Sequence, residues 1–176
     1  MTGVQTCALP ISIFEQIGGL PLPKRSPQRR AYRMMELKRW REVRGIPLTL
    51  EPKYFPYAAD GASFMIIAAD GQHGAQVAMR LAYGIMQACW ADERNCADTE
   101  TLDQIAAGFG VDGAALRAGE GEAKATYGAY TQEAIERQVF GAPSYVLDGE
   151  VFWGQDRIEL LADALNSSRA PYRSQV

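Results

Sequence analysis

Between Val139 and Ile158 the chain reads VFGAPSYVLDGEVFWGQDRI, and this stretch restricts the available folds more than any other. Asp148-Gly149 separates Ser144-Tyr145-Val146-Leu147 from Glu150-Val151-Phe152-Trp153. That pattern predicts a β-hairpin, because a type I′ turn needs positive φ at both central residues. A helix is expected to end near Gln138, and Gly141-Ala142-Pro143 to turn abruptly into the first strand. Gly154 should break the second strand, and Gln155 or Asp156 should start a last helix. Taken alone, the hairpin is better explained as an ordinary β-hairpin at a sheet edge with a Gly-Ala-Pro turn.

The remaining composition excludes several classes. A chain of 176 residues with 47% apolar and 22% charged side chains has enough material for one globular core. A net charge of −3 excludes a generally basic nucleic-acid binder, and no apolar run reaches membrane-spanning length. Cys7, Cys89 and Cys96 contain no CxxC pair, so the dithiol of a disulfide oxidoreductase is absent. Cys89 and Cys96 read as reduced thiols of a cytoplasmic protein. The lone His73 reads as a surface or cap residue, and one histidine with scattered cysteines predicts no metal site.

Residues 1–12, MTGVQTCALPIS, lack the basic start of a signal peptide and resemble a translated adapter, so a non-native leader is expected there. Ile13 to Arg25 reads as a short helical or extended piece running into a Gly-Pro loop. Ser26 then supplies an N-cap, with Pro27 at the first helical position. Ala31, Met34, Leu37 and Trp40 recur at spacing three, widened by Tyr32 and Met35, until Gly45 and Pro47 stop the helix. Nine of the chain's 18 Lys and Arg fall between Lys24 and Arg44, against Glu36 and Glu42. This concentration suits an anion site for a phosphate backbone or a carboxylate, and a solvated helix face explains it as well. Prolines at 47, 52 and 56 keep residues 46–57 extended, and Tyr54, Phe55 and Tyr57 suit either the wall of an apolar pocket or plain packing.

Residues 60–90 read as helical. Asp98-Thr99 and Asp112 cap two shorter helices, and a long helix is expected from about Gly121 to Gln138, burying Tyr127, Tyr130, Ala134 and Ile135. Residues 166–176 look like a loose polar tail.

Phe140-Gly141-Ala142-Pro143, the hairpin, and Trp153-Gly154-Gln155-Asp156-Arg157, in that order and spacing, resemble the 2-hydroxychromene-2-carboxylate isomerase family. That family is part of the DsbA-like thioredoxin superfamily and is related to kappa-class glutathione transferases. The resemblance implies an α/β, thioredoxin-like (DsbA-like) fold with a helical insertion domain, its first β-α-β half missing or replaced. Residues 13–165 would form that domain, with 13–138 mostly helical insertion and 139–165 the C-terminal β-β-α.

The resemblance also implies chemistry. Glutathione is the expected cofactor, held by Ala142, Pro143, Trp153, Gly154, Gln155 and Asp156. A cis bond before Pro143 would turn the Ala142 backbone outward to pair with the cysteinyl residue. Asp156 would meet the γ-glutamyl amino group, although a plain helix N-cap explains that residue too. Tyr54 and Arg29 would contact a small aromatic carboxylate substrate; the family has a lysine where Arg29 stands, so the charge is kept and the geometry differs. The reaction would be a cis–trans isomerisation in aromatic, naphthalene-like catabolism, with the glutathione thiolate as nucleophile. The family's catalytic serine has no counterpart in this chain, so no catalytic residue is assigned and inactivity is one expected outcome. The expected partners exclude nucleic acid and membrane and include a second copy of the chain in a homodimer. Two other readings are a thiol–disulfide oxidoreductase or glutathione transferase of the DsbA-like or kappa type, and a non-enzymatic module using the basic helix.

Overall fold

A computed structural model of the chain describes residues 19–173. The expected leader, Cys7 and most of the piece after Ile13 lie outside the described residues. The chain divides into two compact units, residues 22–127 and a second containing residues 128–173.

In residues 22–127 the local signals act as expected. Helix α1 spans Pro27–Arg44; Ser26 Oγ accepts the Arg29 amide at 3.3 Å, and Gly45 ends the helix in the left-handed region with φ 61. Helices α2 (Asp60–His73) and α3 (Ala75–Trp90) are separated by Gly74 at φ 84. The proline-rich segment between α1 and α2 contains no helix, and its Thr49 amide donates to the Trp90 carbonyl at 2.6 Å. Helix α4 spans Thr99–Gly108, with Asp98 accepting the Thr101 amide at 2.8 Å. Helix α5 spans Gly113–Ala118, with Asp112 accepting the Ala114 amide at 2.9 Å. Each such cap contributes about 1 kcal/mol. Met65, Leu81, Ile85, Leu102, Ile105 and Leu116 form the centre of the core that these helices enclose. Truncating a fully buried leucine such as Leu81 to alanine would cost about 2–5 kcal/mol.

Helix α6, Glu120–Glu136, contains the boundary between the units, which falls after Tyr127. The physical reason is a second small core in residues 128–173, where Ala134, Val139 and Val146 are buried with Ile135 and Val151 against them. Strands β1 (Ser144–Leu147) and β2 (Glu150–Trp153) pair antiparallel, Ser144 opposite Trp153 and Leu147 opposite Glu150. Asp148 and Gly149 have φ 50 and 85, the type I′ turn read from the sequence. These two strands form the sheet of the described residues. A 3₁₀ turn over Gln155–Arg157 leads into helix α7, Ile158–Ser167.

Four expectations need correction. The apolar stripe of α1 is not a buried face: none of its residues is buried, and Tyr32 and Met35 are exposed. Tyr130 is exposed on α6, whereas Ala134 on the same helix is fully buried. Helix α7 begins at Ile158, because the first turn after Gly154 is 3₁₀. The segment after α7 is held: both terminal nitrogens of Arg169 donate to the Glu150 carboxylate at 2.7 and 2.8 Å, and the Tyr172 amide donates to it at 2.9 Å.

No helix among the described residues is long and apolar enough to cross a membrane. Among those residues no group of three or more His, Cys, Asp or Glu could hold a metal ion.

Candidate functional site

The segment between α6 and β1 is shaped by its own hydrogen bonds. After α6, Gln138 adopts φ 57 and the Val139 amide returns to the Ala134 carbonyl at 2.9 Å, which sends Val139 inward and leaves Phe140 exposed. The Ala142–Pro143 peptide is cis. Buried Ser144 donates through Oγ to the Gly141 carbonyl at 2.6 Å, fixing the turn from its inner side. The Gly154 amide donates to the Pro143 carbonyl at 2.9 Å, so the exit of β2 is fastened to the start of β1. Ala142 and Pro143 are exposed, and the Ala142 N–H and C=O make no hydrogen bond among the described residues.

Two glycines are required by close approaches. A Cβ on Gly141 would collide with the Trp153 indole, which lies over that position and meets Phe140 edge-on with ring centroids 5.0 Å apart. The indole is 52% exposed, so it forms an open aromatic wall beside the Ala142 turn rather than part of the core. Gly154, at φ 116, is strained for any other residue, and the space its missing Cβ leaves is taken by the Asp156 carboxylate. Gly154 therefore makes room for Asp156 itself.

Asp156 is exposed and its Oδ2 accepts from Arg157 at 2.7 Å. It does not cap α7, which has no side-chain N-cap. The amides of Gln155 and Asp156 precede the first bonded N–H of the 3₁₀ turn, that of Arg157 to the Gly154 carbonyl at 3.2 Å, and make no hydrogen bond among the described residues. Ala142, Pro143, Trp153, Gly154, Gln155 and Asp156 thus surround one exposed turn with free backbone donors and acceptors at one side and a carboxylate at the other.

Arg29 and Tyr54 belong to residues 22–127. Arg29 lies exposed in the first turn of α1, and Tyr54 lies in the loop before α2 with Lys53 Nζ 4.9 Å from its ring centre. A cleft of about 440 Å³ opens between α1 and this loop, and Arg30, Arg33 and Phe55 line it, whereas Arg29 and Tyr54 do not. The sequence marks the basic helix and the aromatic loop, but helical phase decides which arginine faces the loop.

Two of the thiols are described, and neither is poised as a nucleophile. Cys89 and Cys96 are buried; burial raises the Cys89 thiol, and burial followed by nearby Cys89 pushes the Cys96 thiol up to about 11. Cys96 Sγ instead donates to the Ile85 carbonyl at 3.5 Å.

The family profile described as a DSBA-like thioredoxin domain matches residues 4–166, starting ahead of Ile13. A 2-hydroxychromene-2-carboxylate isomerase of Sphingobium xenophagum is 31% identical over 138 residues, covering 75% of this chain and 66% of that protein. The enzyme of the same name from Pseudomonas putida is 31% identical over 137 residues, covering 76% of this chain and 64% of that protein. The chain therefore spans slightly less than two thirds of the length of these relatives. A solved structure of a 2-hydroxychromene-2-carboxylate isomerase superposes with a TM-score of 0.66 at 26% identity, covering 90% of this chain and 76% of the other.

Proposed function

The chain belongs to the DSBA-like thioredoxin domain family, and from that premise we propose that its hairpin site holds glutathione in an isomerase of the 2-hydroxychromene-2-carboxylate type. The observation that carries this reading is the exposed Ala142 peptide, whose N–H and C=O are both unbonded among the described residues, fastened through Pro143 and Gly154 to the segment bearing Asp156. The names of the two similar proteins and of the similar solved structure support the reaction class.

The residues fit the cofactor's chemistry. Ala142 would pair with the cysteinyl backbone as a short antiparallel ladder. The free amides of Gln155 and Asp156 would receive the γ-glutamyl carboxylate, and the Asp156 side chain would hold the neighbouring amino group against competition from Arg157. Trp153, with Phe140 behind it, would wall the thiol side from water. Glutathione supplies a nucleophilic thiolate when bound. No side chain of this chain is assigned to activating that thiol, since the two described cysteines are buried. Arg29 and Tyr54 are assigned to the aromatic carboxylate on the resemblance.

Titration calorimetry with glutathione, alongside a spectrophotometric isomerisation assay run with and without it, tests the reading. Saturable binding and thiol-dependent turnover are expected of an intact isomerase. Binding without turnover would retain the cofactor site and reject activity in this chain. Absence of binding removes the whole assignment.

A further inference from the structure

We infer that the small cavity bounded by α2, α4, α5 and the first residue of α6 is a binding site for a small organic ammonium ion, with Glu120 as its counter-charge and Phe64 in its apolar wall. The site lies within residues 22–127 and uses no residue assigned to glutathione or to an aromatic carboxylate.

The cavity measures about 220 Å³, below the roughly 300–1,000 Å³ usual for drug-sized ligands, so it admits one ring or a short alkyl chain. Phe64, Met65, Leu102 and Leu116 make much of its wall apolar. Phe64 is held edge-on by Tyr127, with ring centroids 5.6 Å apart, so the ring keeps its place beside an occupant. Covering an apolar body with these side chains supplies attraction without choosing a charge.

The charge is chosen by the two ionic lining residues. Arg117 and Glu120 line the same cavity, yet the Arg117 guanidinium pairs with Asp103 instead. Glu120 makes no ion pair or hydrogen bond among the described residues, and neither does the Thr99 hydroxyl, which also lines the cavity. With Arg117 neutralised by Asp103, Glu120 leaves one negative charge uncompensated. A primary ammonium carries three N–H donors, for which a carboxylate and a hydroxyl oxygen are matching acceptors. A phenyl ring in the wall favours a cation as well. Asp60, at the start of α2, adds to the negative field: burial, and after it Asp60, raises the Tyr127 hydroxyl behind Phe64. A bare metal ion fits poorly, because Glu120 is the one carboxylate in the lining and hard cations need several oxygen ligands.

Calorimetry on the whole chain without glutathione at pH 7 tests this. Benzylamine, protonated at that pH, is the probe, with benzyl alcohol and benzoate as its neutral and anionic counterparts. Benzylamine should bind saturably and more tightly than either. Glu120→Gln should weaken it about fivefold, the size expected for an ion pair that water partly screens. Glu122→Gln, on the same helix but outside the cavity lining, should leave it unchanged. Ala97→Phe, at an exposed lining position, fills the cavity with Glu120 in place and should abolish binding while far-ultraviolet circular dichroism stays unchanged. Absence of benzylamine binding would overturn the inference, as would equal binding of benzyl alcohol or benzoate. Equal weakening by Glu120→Gln and Glu122→Gln would also overturn it, because the attraction would then be a diffuse effect of surface charge. That comparison decides the question even if Ala97→Phe fails to fold.

Discussion

The Gly154 amide and the Pro143 carbonyl are 2.9 Å apart, and this one bond joins the two ends of the hairpin into a closed frame. Ala142 directly precedes Pro143 at one end of this bond, and Asp156 follows two residues after Gly154 at the other. Substitutions that disturb the frame should therefore act on ligand binding and stability together.

Gly141→Ala places a methyl group where the Trp153 indole lies. Overpacking of this kind costs about 1–3 kcal/mol, so a lower melting temperature and altered tryptophan emission are expected. The same substitution in a Trp153→Phe background should be nearly silent in emission and less costly in stability. Equal costs in both backgrounds would show that the indole does not cover Gly141.

Asp156→Asn retains the shape beside Gly154 and removes the charge. Loss of a charge-assisted hydrogen bond predicts glutathione affinity lower by about tenfold, with little change in melting temperature because the carboxylate is exposed and its pairing with Arg157 is solvent-screened. Calorimetry decides the point, and unchanged affinity would remove Asp156 from the site.

The Arg169 hydrogen bonds lower the Glu150 carboxyl pKa, with the Tyr172 amide acting in the same direction against desolvation. A depressed carboxylate contributes stability that is present above the unfolded value of about 4.3 and is lost as pH falls through the folded one. Melts of the wild type and Glu150→Gln should therefore differ at pH 7, with the difference shrinking progressively as the pH falls below about 4.3. A constant difference across that window would mean that Glu150 acts by shape alone.

Cys89 and Cys96 should resist alkylation in the native protein at pH 7 to 8 and react after denaturation. Cys96 should be especially slow, since its thiol is pushed up to about 11. Site-resolved mass spectrometry after iodoacetamide measures this, and rapid native labelling of Cys96 would contradict its burial.

Legibility in the sequence followed the range of the interaction. Asp148-Gly149, Ser26-Pro27, Asp98 and Asp112 act on amides no more than three residues away, so their chemistry could be read locally and the structure agrees. Ser144 was missed as the residue securing the turn, although its place after Pro143 offered a signal through a local Oγ-to-carbonyl bond. Glu150 and Arg169 are 19 residues apart and meet only because α7 returns the chain to β2, which no local pattern encodes. Tyr130 failed for a different reason: it lies one turn before Ala134 on the same face of α6, but the small core is made by Ala134 and Ile135 with Val139, Val146 and Val151 and does not include it, so Tyr130 stays exposed. The choice of Arg33 over Arg29 in the cleft likewise depends on rotation of α1 relative to the aromatic loop.

The two-residue connection at Asp148-Gly149 leaves the hairpin without slack. Leu147 stands opposite Glu150, and the pairing runs unbroken to Ser144 and Trp153. One residue inserted into β2 would exchange inward and outward side chains along the strand. Trp153 would leave Gly141, and Glu150 would lose Arg169, in a single event. Natural length variation should therefore be excluded from these ten residues, which makes hairpin length a simple marker for variants that preserve this site.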